Sequence, residues 1–164
     1  MDSLDISLLI LRSACGASIA YHGYNKVFGA GGLSGTASWF GSIGMKWPKL
    51  QARMAAGTEI VAGLLLVIGF LTPLAGAAIV ALMIVAIVTV HGKVGYFIFL
   101  PNGGWEYTAL IAVVGVSLSL SGPGRISIDH LLGMSPELSL SLGAIALGMT
   151  GAFCHLVISF RRPT

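Results

Sequence analysis

Long apolar runs dominate what this chain can become. At about residues 6–23, 54–71, 74–90 and 138–160 the sequence stays apolar over the length a helix needs to cross a bilayer, roughly 17 to 25 residues. A shorter run at about 106–121 is a fifth candidate. The runs are continuously apolar rather than alternating, so helices are expected instead of a closed barrel, the other fold that satisfies every backbone hydrogen bond in lipid. Composition agrees, with 9% charged residues against about 25% in soluble domains. The expected class is an all-α integral membrane helical bundle.

The first run carries groups that a membrane helix normally avoids. Between Ile6 and Phe28, the residues Arg12, Cys15, Ile19, His22 and Lys26 recur at steps of three and four, which places them on one stripe of a helix otherwise covered by Leu, Ile and Ala. Glu59 lies inside the second run. A lone charge in lipid is costly and a partner removes most of that cost, so Arg12 and Glu59 are expected to form a structural ion pair between adjacent helices.

Charge distribution gives an orientation. With five spans, one side of the membrane receives Lys26, Lys46, Lys49, Arg53, Lys93, Arg161 and Arg162, and the other receives only Arg125. The positive-inside rule then puts the N-terminus outside and the C-terminus in the cytoplasm of a multi-pass inner-membrane protein. Met1 to Asp5 contain two aspartates and no Lys or Arg, unlike the basic start of a secretory signal, so the first helix is expected to be retained. Cys15 and Cys154 fall inside spans without a Cys-x-x-Cys spacing and read as unpaired thiols.

The connections are equally readable. Ser34 to Gly44 fits a short interfacial helix, with Leu33, Ala37, Phe40 and Ile43 facing the lipid or the bundle and Trp39 and Trp47 at headgroup level. Thr72-Pro73 makes a tight hairpin, and Tyr96 to Leu100 is too short to cross. Ser135-Pro136-Glu137 reads as an N-cap, a first-turn proline and an acid at the start of the last span. The halves echo each other: Tyr21-His22-Gly23 with Lys26 precedes Glu59, and Val90-His91-Gly92 with Lys93 precedes Glu106. A duplicated helical hairpin and chance similarity both account for this.

Under this topology His22, Lys26, Glu59, His91, Lys93 and Glu106 gather near the cytoplasmic end, with Trp105, Tyr107 and most of the other aromatic rings. Acids and bases walled by rings suit a planar lipid-soluble ligand such as a quinone, which needs apolar walls and donors for its carbonyls. The candidate ligand-binding residues are therefore His22, Lys26, Glu59, His91, Glu106, Trp105 and Tyr107. Competing readings are plain: the lysines and arginines as interfacial anchors, the tryptophans as belt residues, and His22 with His91 as proton relays or haem ligands. No metal spacing, phosphate loop, Gly-x-Ser-x-Gly or dinucleotide motif occurs. Neither metal nor haem is expected, and no domain is present to bind nucleic acid.

Several motifs together resemble the DoxX family: His22-Gly23-x-x-Lys26-x-Phe28-Gly29, Gly32-Leu33-x-Gly35-Thr36 with Phe40 and Gly44, Glu59-x-x-x-Gly63-x-Leu65-Leu66 with Gly69, and Gly122-Pro123-Gly124-Arg125-x-Ser127-x-Asp129. Arg12 matches an arginine that the family carries in its first helix. The resemblance implies a four-helix membrane core over residues 1–130, to which residues 131–164 add a fifth helix and a short basic tail. It also implies association with membrane oxidoreductases, some relatives being subunits of thiosulfate:quinone oxidoreductases. The expected role is a membrane subunit of a quinone-linked oxidoreductase, with lipid and other membrane subunits as partners. The alternative is a non-catalytic scaffold or accessory subunit of a larger complex.

Overall fold

The structure, a computed structural model, describes residues 2–134 and 137–162. Among them the helices are α1 (Ser3–Phe28), α2 (Gly32–Ser42), α3 (Pro48–Ile68), α4 (Thr72–Thr89), α5 (Glu106–Ser121), α6 (Ile128–Leu131) and α7 (Leu138–Ser159), with a 3-10 turn at His91–Lys93. The chain is an all-α membrane bundle: α1, α3, α4 and α7 are each long and apolar enough to cross. The 16-residue α5 completes the five. It runs from the loop that holds His91 to Pro123, which meets Arg12 at the other end of the bundle.

Small residues set the helix spacing. In α1 and α3 the backbones nearly touch where Gly16 faces Gly63, and a Cβ on Gly16 would stand 2.5 Å from the Gly63 carbonyl oxygen. The same device joins α4 to α5, where a Cβ on Gly76 would lie 2.5 Å from the Gly115 oxygen. Lipid supplies no hydrophobic drive between helices, so close van der Waals packing of this kind holds them together. Leu8, Ile19, Ala62, Leu66, Ile79, Met83 and Leu118 fill the space between the two hairpins. Helix α7 lies along α4, against which Gly148 fits at Ala77.

The glycines also turn α1 away from the face expected of it. Its buried side is Asp5, Leu8, Arg12, Gly16, Ile19 and Gly23. Arg12 and Ile19 lie on the expected stripe, Cys15 is half-buried and His22 is exposed. The face that packs is the one that lets α3 approach, and beside Gly23 that leaves His22 outside.

Elsewhere the elements sit close to their expected places. The turn between α3 and α4 is tight, with Gly69 and Leu71 both in the left-handed region at φ 66° and 49°. The apolar side of α2 faces the bundle, with Ala37 buried and Trp39 exposed. Tyr96 to Leu100 form a non-helical loop folded back on itself, Gly104 N–H donating to Phe97 O (3.0 Å) and Glu106 N–H to Tyr96 O (2.8 Å). The expected capping by Ser135 and Pro136 lies outside the described residues. Glu137 stands at the N-cap position itself, without a side-chain cap bond, rather than in the first turn.

Candidate functional site

The charges of the bundle divide between its two ends. At the end holding the α3–α4 turn, Arg12 is 1% exposed and donates only to backbone oxygens. Its Nε bonds Pro123 O (3.2 Å) and its Nη1 bonds Leu66 O (2.9 Å). Further bonds run from Nη1 to Val67 O and from Nη2 to Ile126 O. Leu66 and Val67 close α3, where carbonyls run short of intrahelical partners, Leu66 O accepting only the cap N–H of Gly69 (3.1 Å) besides Arg12, and the helix dipole favours a cation. Asp129 complements this at the start of α4: its carboxylate accepts from Leu71 N–H (2.8 Å) and Thr72 N–H (3.0 Å). Asp5 accepts from Arg125 N–H (2.8 Å) and joins Asp2 in a reciprocal cap of α1.

The Arg12–Glu59 ion pair expected from sequence is therefore not formed. With Gly16 opposite Gly63 in antiparallel helices, Glu59 lies level with about residue 20, roughly 12 Å along α1 from Arg12 at 1.5 Å per residue. Glu59 pairs with Lys26 instead, at 2.7 and 2.6 Å to its two oxygens. Helical side chains lean toward the N-terminus of their own helix, which carries the Lys26 ammonium back to the level of Glu59.

The other candidate residues form a second group. His91 Nδ1 is 2.8 Å from Gly103 O, and its Nε2 is 2.6 Å from the Tyr107 hydroxyl. A carbonyl can only accept, so Nδ1 carries a proton, and in the neutral imidazole Nε2 then accepts from the tyrosine. Glu106 accepts from Ile98 N–H (3.0 Å), and Trp105 packs edge-on against Tyr96. The seven candidates thus fall into the Lys26–Glu59 pair, the loop cluster of His91, Trp105, Glu106 and Tyr107, and the exposed His22. None of them lines any of the three cavities described below.

A cavity of about 290 Å³ lies instead beside these groups, in the cleft that α3 and α7 form over α4. Ala78, Ala81, Leu82 and Val85 of α4 make its floor, while Phe40, Ile43 and Met45 from the α2–α3 corner close the basic end. Helices α3 and α7 each contact α4 but share no extensive contact with each other, so the cleft opens sideways to the bilayer. Its polar lining is Gln51, Thr58, Thr89 and His155. Gln51 and Thr58 stand seven residues apart on one face of α3, a spacing readable in sequence, but uncharged side chains raise no alarm in an apolar helix. A second cavity, about 390 Å³, lies between the starts of α4 and α7, and a third, about 440 Å³, beside the end of α4.

A family model described as DoxX matches residues 7–92. The chain is similar to "Putative oxidoreductase CatD" of Bacillus subtilis (strain 168), 31% identical over 127 residues that cover 77% of this chain and 87% of that protein. It is also similar to "Inner membrane protein YphA" of Escherichia coli (strain K12), 32% identical over 134 residues, or 76% and 89% of the two chains. No solved structure matches it.

Proposed function

Because the chain belongs to the DoxX family, we propose that it is the membrane subunit of a quinone-linked oxidoreductase, and that its lipid-soluble ring occupies the cleft between α3, α4 and α7. One observation carries the reading: a cavity of about 290 Å³, near the lower bound of roughly 300 Å³ for ligand pockets, with apolar walls, a few polar groups and a lateral opening. The residues suit a ring. Ala78 and Ala81 leave the floor flat, Met45 and Met54 offer adaptable walls, and the buried Gln51 amide can donate to a carbonyl oxygen.

When bound, a quinone supplies the capacity to accept two electrons and two protons. The chain's own part is to admit the ring from the bilayer, exclude water and orient it between Gln51 and His155, with the Thr89 hydroxyl left as an acceptor while it donates to Val85 O (2.8 Å). The sequence has no nucleotide or flavin motif, so the electrons come from a partner subunit. The basic end, with Lys46, Lys93 and Arg161, faces the cytoplasm by the positive-inside rule, and the name of the YphA relative supports an inner-membrane location.

The test is titration of the purified protein in mild detergent with a short-chain quinone, read by tryptophan fluorescence. Saturable quenching is expected. Gln51→Leu and His155→Leu should each weaken it about 5-fold, the worth of one neutral hydrogen bond, and His22→Ala should leave it unchanged. Absence of saturable quenching, or quenching indifferent to both leucine variants, leaves the scaffold role in its place.

A further inference from the structure

The third cavity differs from the first in the charge of its lining. It is about 440 Å³, bounded by Ile87 and Val88 at the end of α4, Gly92 and Lys93 in the following turn, and Phe160 and Arg162 in the tail after α7. Three of these side chains are apolar, two are cationic and none is acidic. We propose that it binds the phosphate of an anionic phospholipid, the glycerol and first acyl carbons lying on Ile87, Val88 and Phe160.

The tail is stapled in place. Met45 and Phe160 form an antiparallel bridge, Lys46 N–H donates to Ser159 O (2.7 Å) and Arg161 N–H to Gly44 O (2.9 Å). Lys46 Nζ adds a bond to Ile158 O (3.0 Å). These contacts bring Arg162 to the cavity that also holds Lys93, although the two are far apart in sequence.

Each acidic side chain of the described residues has another place. Glu59 is the partner of Lys26 in the one ion pair among the described residues, Glu106 serves Ile98 N–H, and Asp2, Asp5, Asp129 and Glu137 belong to the opposite end. Among the described residues no carboxylate lies within 4 Å of the Lys93 or Arg162 charge, which leaves two cations over an apolar floor. A guanidinium takes phosphate oxygens two at a time while an ammonium acts as a point charge, and basic pockets of this kind at the cytoplasmic side of a bundle suit anionic headgroups.

The experiment is native mass spectrometry and thermal melting of the full chain in neutral detergent, with phosphatidylglycerol, phosphatidylcholine or inorganic phosphate added. Phosphatidylglycerol should bind and raise the melting temperature. The double variant Lys93→Gln/Arg162→Gln should lose about 30-fold in affinity, two interfacial contacts converted at the usual rate. The control Lys49→Gln/Arg53→Gln removes the same charge from exposed positions of α3 and should bind as the parent does. Equal binding of phosphatidylcholine, equal loss in both variants, or equal protection by inorganic phosphate would overturn the assignment.

Discussion

At the end of the bundle that holds the α3–α4 turn, Asp5, Arg12 and Asp129 are 5%, 1% and 3% exposed and their partners are backbone groups. At the basic end the half-buried Lys26 meets Glu59, which is 8% exposed, and His91 meets Tyr107. The first arrangement joins segments: Arg12 alone ties α1 to the end of α3 and to the loop after α5. The second joins neighbouring side chains in one hairpin at a time. A charge that satisfies unpaired backbone in a low-dielectric interior is structural, because nothing else can replace it there. A charge that meets another side chain depends on that single partner, so both can be removed together at less cost than either alone.

The largest effect expected from breaking this comparison is at Arg12. Arg12→Met strands the carbonyls of Val67, Pro123 and Ile126, while Leu66 O keeps Gly69 N–H, and should destabilise by about 3–5 kcal/mol, as removal of a buried charged partner does. Arg12→Lys should recover little, since an ammonium lacks the planar fork. Adding Glu59→Leu to Arg12→Met should give the sum of the single losses within about 0.5 kcal/mol, as for independent sites. Denaturant titration in mixed micelles measures all of these, and a double variant more stable than that sum would restore a direct Arg12–Glu59 link.

Asp129→Asn comes next. It leaves one amide oxygen for two N–H groups, and a cap of this kind is worth about 1–2 kcal/mol. The Leu71 backbone, left-handed at φ 49° and held by one of those bonds, should then exchange its amide hydrogen faster. Unchanged exchange at Leu71 would show that Asp129 does not fix the turn.

Lys26→Met leaves the buried Glu59 carboxylate without its partner and should cost about 1–3 kcal/mol, and the double variant Lys26→Met/Glu59→Leu, which removes both charges, should recover much of that loss. If the double variant is as unstable as the sum of the singles, the Lys26–Glu59 pair is not formed and the contrast fails. The smallest stability effect is expected from Tyr107→Phe, at most about 1 kcal/mol for one neutral hydrogen bond. Its sharper readout is chemical: with Nε2 of His91 released, modification by diethylpyrocarbonate should speed up. Equal reactivity in the parent and the variant would mean that the His91–Tyr107 bond is not formed.

The class, the spans and the short second helix are legible in the sequence because apolar run length and chain breaks act locally; Thr72-Pro73, expected as the turn itself, instead opens α4, and the turn is Gly69 to Leu71. The fifth apolar run, at about residues 106–121, coincides with the helix Glu106–Ser121. The Gly122-to-Asp129 motif was legible only as a family resemblance; that Asp129 caps α4 and that Pro123 and Ile126 receive Arg12 depends on contacts across most of the chain. The partner of Arg12 is not legible in the sequence, for a physical reason. Sequence shows which charges exist, while the register of α1 on α3 is set by glycines at the crossing, and that register decides which charges share a level. The same holds for the cleft over α4. Its polar lining comes from α3, α4 and α7, and no local signal in any one helix states that the other two leave a gap beside it.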